Sequence, residues 1–182
     1  MNLRKLIFKY IVKHREQRSA TFKNFDSVKN ILIIFESDLT ERHLQINQLI
    51  KELNSKGKFV SAWGYIERKH PITMIMRDFR VLGRANLDIL NRPNKKMRED
   101  LQKMHFDMLI DLTTNPDILP LRYLTFYANA DFKAGKGNYE EPYIHDFMID
   151  MPEETANDSS RLFDQIIRYT SIIKSPTDNT KE

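Results

Sequence analysis

Asn30-Ile31-Leu32-Ile33-Ile34-Phe35-Glu36 is the stretch that decides the fold. Five consecutive apolar residues, three of them β-branched, make a strand with no polar face to turn toward water. A strand of this kind is buried on both sides, as in a parallel sheet with helices above and below.

The flanks extend this reading. Ser37, Asp38 and Thr40 supply side chains that can cap a helix. Ile46, Leu49, Ile50 and Leu53 then recur at helical spacing, and Gly57 is placed to end that helix. A strand over 58–65 completes a β–α–β unit, expected to be right-handed. Further along, Asn94 caps a helix carrying Met97, Leu101 and Met104, and a strand follows over 107–112. A helix over 119–130 is entered through Pro120, with Leu121, Leu124 and Ala128 inward. Strands are predicted over 132–135 and 146–151. The last helix runs over 158–173, with Leu162, Phe163, Ile166, Ile167 and Thr170 on one face. Residues 66–93, bracketed by Pro71 and Pro93, carry the weakest pattern, with Leu87–Leu90 as a short edge strand. At the N-terminus, Leu3, Leu6, Ile7, Tyr10 and Ile11 give a helix over 2–17, and a linker follows over 19–26. The whole reads as a three-layer α/β/α sandwich with a Rossmann-like, mostly parallel sheet of five or six strands. Residues 1–22 form a basic amphipathic helical arm, 27–173 a single α/β domain, and 174–182 a disordered tail.

A chain of 182 residues suits one domain. It has no cysteine, which excludes disulfides, thiolate zinc sites, iron–sulfur ligation and a cysteine nucleophile. No apolar run approaches the roughly 18 residues needed to cross a bilayer. Lys9 and Lys13 interrupt the N-terminal apolar residues and no small-residue cleavage site follows, so no signal peptide is expected and the expected location is cytoplasmic. The net charge of +4 is unevenly spread. Residues 1–23 hold seven basic residues against Glu16, a net +6, which leaves −2 for the remainder. Nucleic-acid binding calls for a basic face on the domain, so a basic arm on a mildly acidic body argues against it. Three roles are open to the arm: lying peripherally on an anionic membrane surface, binding nucleic acid, or packing on its own sheet or on a protein partner or second copy, with packing the leading expectation.

Parallel sheets bind ligands at their carboxyl edge. The candidate edge residues are Glu36, Asp38, Asp111, Thr113, Asn115 and Lys136. Acidic side chains on adjacent strands could hold Mg²⁺, because hard cations prefer carboxylate oxygens. A receiver domain has a similar set, although its strand spacing differs from this one. The ordinary alternative is that Asp38 caps a helix and Asp111 accepts hydrogen bonds from the loop after it. Asp111 stands out because Asp is disfavoured in strands and a buried carboxylate needs a partner. By alternation it shares a face with Leu109. Gly135-Lys136-Gly137 invites a phosphate-loop reading, but such loops feed a helix N-terminus and this segment leads toward a strand, so a turn is expected. Trp63 and Tyr65 could stack on a ring or pack in the core. His14, His43, His70, His105 and His145 form no metal-binding pair, and no G-x-S-x-G elbow occurs. No metal site and no cofactor are expected beyond the Mg²⁺ option. One internal echo exists: Phe106–Leu112 aligns without gaps to His145–Met151, with Asp at the second and sixth positions of both.

Across Asn30–Glu36, Phe106–Asn115, Phe132–Lys136 and Asp146–Asp150 the chain resembles a family of small bacterial proteins classed as a domain of unknown function. The carrying pattern is F-D-M-L-I-D-L, then P-L-R-Y-L, A-D-F-K-A-G-K and D-F-M-I-D, and the resemblance runs from about residue 20 onward. It implies no activity and no catalytic residue. Phe106–Lys136 is also similar to a segment in the N-terminal domain of heptosyltransferase-type glycosyltransferases, where a [FY]-D-x-x-I-D-L strand precedes a helix and a short strand ending in Gly. That resemblance implies a Rossmann-like fold, with the nucleotide-sugar donor bound by a second domain for which this chain has no room. The leading expectation is a non-catalytic binding or scaffold module. The alternatives are a nucleotide- or sugar-phosphate-binding enzyme using Glu36, Asp38, Asp111 and Lys136, and a peripheral membrane protein held by residues 1–20.

Overall fold

The computed structural model describes residues 3–15, 18–38, 41–67, 74–76, 79–137 and 142–173. Thr40, His70, Pro71 and the expected tail over 174–182 lie outside the described residues. The decisive stretch is β1 (Asn30–Glu36), with Ile31 to Phe35 wholly buried. It lies at the middle of one seven-stranded sheet with β2 (Phe59–Tyr65), β3 (Met74–Met76), β4 (Phe79–Leu82), β5 (Phe106–Asp111), β6 (Ala130–Lys136) and β7 (Phe147–Ile149). The order is β3-β4-β2-β1-β5-β6-β7. Six strands run parallel, and β3 is an antiparallel edge on β4.

The helices are α1 (Leu3–Lys13), α2 (Glu41–Ser55), α3 (Lys95–Lys103), α4 (Leu119–Tyr127) and α5 (Ser159–Ile172). Strand alternation sorts the core into two faces. Ile31, Ile33, Met108 and Ile110 meet Ile46 and Leu53 of α2 and Leu162 and Ile166 of α5. Leu32, Ile34, Trp63 and Leu109 meet Leu101 of α3 and Leu121 and Leu124 of α4. The result is the three-layer Rossmann-like sandwich, with Trp63 and Tyr65 in its core. Local chemistry sets the helix ends. Asn94 and Asp158 accept the N–H groups of Met97 and Arg161, and Gly57 follows α2 at φ +77°, a left-handed value that glycine adopts without strain.

The weakly patterned region differs from its reading. Leu87–Leu90 is not a sheet strand: Leu87 makes only an isolated bridge to Pro93. The Asp88 carboxylate instead accepts the N–H groups of Leu90 and Arg92 and folds the segment into a turn. The sheet continues through β4 and β3. Gly135 and Lys136 are also not in a turn, because β6 runs through Lys136. The fourth helix ends at Tyr127, three residues before the expected end.

α1 packs on its own domain. Phe8 is fully buried, edge-on to Tyr123 at 4.8 Å and to Phe126 at 6.2 Å, with the Arg122 guanidinium 4.7 Å from its ring. α4 is therefore enclosed between the sheet and α1, and Leu119 to Phe126 are all buried. The arm continues along the domain, with Phe22 edge-on to Phe132 at 5.1 Å. Among the described residues, no helix is long and apolar enough to cross a membrane.

Candidate functional site

β1 leads to β2 on one side, while its other neighbour β5 leads on to β6. The crevice between β1 and β5 is thus the place where a doubly wound sheet offers a ligand site. Here Glu36 fills it. Its Oε1 accepts the backbone N–H of Thr114 at 2.8 Å and of Asn115 at 2.6 Å, and the Thr114 hydroxyl at 3.2 Å. Its Oε2 accepts Arg42 Nη1 at 2.6 Å. Asp38 is a helix cap, accepting the N–H of Arg42 at 3.3 Å. An open cleft of about 520 Å³ lies beside this group, walled by Glu36, Asp38, Arg42, Tyr65 and Ile118.

The other candidates are held separately. Asp111 is buried on the Leu109 face. Its Oδ1 accepts the N–H of Thr113 at 2.9 Å, which is the loop contact read from the sequence. Its Oδ2 accepts the Thr125 hydroxyl at 2.7 Å and lies 2.9 Å from His145 Nε2. Burial would raise the Asp111 pKa, but the hydrogen bonds from His145, Thr113 and Thr125 outweigh it and hold the carboxyl below its usual range. Lys136 Nζ donates to the carbonyls of Thr114 and Ala156 at 3.1 and 2.7 Å. The structure thus joins Glu36 to Asn115, Asp111 to Thr113, and Lys136 to the Thr114 carbonyl, with each carboxylate on its own partners.

Three residues beside Asp111 were not picked out from the sequence: Thr125, Lys133 and His145. The His145 ring lies on β6 over Gly135, where a Cβ would come within 2.6 Å of Nε2, so only glycine admits the ring. Lys133 is buried, and its Nζ donates to the carbonyls of Thr125 and Phe126 at 2.6 and 3.2 Å. Burial, with Arg18 and Arg15 adding to it, pushes the Lys133 amine down to about 7. A signal for Lys133 existed: a lysine inside the strand A-D-F-K-A-G-K, two positions from Gly135 and on its face. No signal tied His145 to Asp111.

The internal echo has a shared purpose at its first Asp. Asp107 accepts the N–H groups of Lys29 and Asn30 and pairs with Lys23. Asp146 accepts the N–H of Lys133 and pairs with Arg18. Each fastens a neighbouring strand and a cation of the arm. The second Asp of the echo diverges, since Asp111 is buried and Asp150 exposed.

Among the described residues, no group of three or more His, Cys, Asp or Glu side chains is placed to hold a metal ion. No curated protein matches the chain. Among solved structures, the chain is similar to E. coli heptosyltransferase WaaC with ADP, at 17% identity and a TM-score of 0.48. That likeness covers 81% of this chain and 48% of the other, so the chain spans about half the length of that protein. Residues 3–173 match the family of unknown function DUF6913, and the chain belongs to that family.

Proposed function

We propose that this chain is a non-catalytic binding or scaffold module, in which the amides at the usual ligand crevice of the sheet are taken by the chain's own carboxylate. One observation supports this reading above the others: Glu36 takes the N–H groups of Thr114 and Asn115. Amides at such a strand end are what an incoming anion would bind. With Glu36 in place, a phosphate would meet a carboxylate first. Displacing Glu36 would also separate it from Arg42, a pair with side chains only 17% and 24% exposed.

The test is thermal denaturation of the full chain with Mg²⁺, nucleotides and sugar nucleotides. A ligand at a hundred times its Kd adds about 2.7 kcal/mol, or roughly 5–10 °C for a chain of this size. The expected result is no shift with any of them. A rise in Tm that Glu36→Gln alters would overturn the proposal in favour of an enzyme of the nucleotide or sugar-phosphate class.

A further inference from the structure

We propose that the cleft between the end of α1, β6 and the segment before β7 binds a small oxyanion, a carboxylate or phosphate group on a compact body. The cleft holds about 200 Å³ and is lined by Arg15, Arg18, Lys133, His145, Tyr143 and Phe126, among others. It lies on the α4 face over β6, away from the Glu36 crevice, so the inference stands whether or not the reading above does.

The argument begins with charge. Arg18 is paired with Asp146. Arg15 and Lys133 have no carboxylate partner among the described residues. Both direct an N–H at one carbonyl, that of Phe126, at 2.7 and 3.2 Å. That carbonyl belongs to the C-terminal end of α4, where the helix dipole supplies about half a negative charge. Half a charge does not balance the Arg15 guanidinium, which no carboxylate pairs among the described residues.

Geometry points the same way. Lys133 is 3% exposed, and at that depth an oxyanion facing its amine would favour the charged form. Two of its three N–H donors go to the Thr125 and Phe126 carbonyls. The third has no acceptor among the described residues. The Arg15 guanidinium lies 4.6 Å from the centre of the Phe126 ring, which restrains its plane. Guanidinium forks match carboxylate and phosphate oxygens. Val12 and Ile144 give the cleft apolar wall as well. Sites for drug-sized ligands run to roughly 300–1,000 Å³, so the occupant here is smaller.

The groups facing Lys133 are Arg15 and Arg18 from the arm, Asp111 from β5, and His145 and Asp146 from the segment before β7. A bound anion would favour the charged form of the lysine. Binding therefore takes up a proton near neutral pH and weakens as pH rises.

The experiment titrates the full chain with sodium phosphate and with sodium citrate against sodium chloride at equal ionic strength, following Tm and calorimetric heat at pH 6.5 and pH 9. At least one oxyanion should raise Tm above the chloride control at pH 6.5, and less at pH 9. Lys133→Met should abolish the difference. Arg15→Gln, an exposed position where folding is not at stake, should weaken binding roughly tenfold, the worth of one charge-assisted hydrogen bond. A response equal to that of chloride for both oxyanions overturns the proposal. So does an oxyanion response that Arg15→Gln leaves unchanged.

Discussion

Asp107 fastens three things with one carboxylate. Its Oδ2 accepts the N–H groups of Lys29 and Asn30 at 2.9 and 2.8 Å, and its Oδ1 takes Lys23 Nζ at 2.5 Å. Burial by itself would raise its pKa. The Lys23 ammonium and the two N–H groups outweigh that and hold it at about 2, against 3.8 for a free side chain. A carboxyl depressed on folding contributes stability that is complete above its unfolded pKa and is lost as pH falls through the folded one. The contribution is about 2 kcal/mol. Asp107→Asn should therefore lose about that much in urea denaturation at pH 7, with the gap to wild type closing between pH 4 and pH 2. A gap that does not narrow with acid would show that the charge of Asp107 is not what counts. Asp111 is a different case, being buried with three donors around it. Thr125→Val removes one hydroxyl with little change of shape and should cost about 1 kcal/mol. Asp111→Ala strands the Thr125 hydroxyl, the Thr113 N–H and His145 together, and should cost about 3 kcal/mol or more. Equal costs for the two would mean that the carboxylate does not organise its neighbours.

At the scale of elements, the strongest patterns were the most legible. β1 is buried on both faces because its sequence leaves no polar face, and β5 is buried on both faces with Asp107 and Asp111 carried on partners of their own. The ends of α3 and α5 follow from Asn94 and Asp158. The edge formed by β3 and β4 is not readable, because strands of three and four residues carry too little alternation to register. α4 was read as one-sided. Leu119 to Phe126 are buried all round the helix, Arg122 and Thr125 included, and the cover on the side away from the sheet is α1. Of the site, Asp111 and its loop contact were visible in the sequence. Its approach to His145, 34 residues away, exists only once β6 and β7 lie side by side. Phe8 is the side chain that seats α1 on α4. Phe8→Ala should cost about 3 kcal/mol. Amide hydrogen exchange should then quicken over residues 3–13 while β1 and β5 stay protected. Uniform loss of protection across the sheet would show that α1 belongs to the main cooperative unit.

At the scale of the molecule, part of the uneven charge is met internally. The +6 of residues 1–23 faces a remainder of −2, and cations of this stretch reach acidic groups at the starts of several strands. Lys23 meets Asp107 and Asp131, and Arg18 meets Asp146. Lys5 reaches Asp117 beyond β5. Two of these carboxylates, Asp107 and Asp146, are the echo seen in the sequence. The echo is thus two copies of one fastening, which is why it was too short to be a repeat unit. These fastenings also set an order in time. The partners of Arg18 stand 112 to 128 residues later in the chain. At a synthesis rate of about 5–20 residues per second, Arg18 is made roughly 6–25 s before Asp146. Lys23, Lys5 and the ring of Phe8 likewise wait for residues 107 to 126, and Arg18 waits longest. The arm, made before the strands it fastens, is among the last parts to find its place.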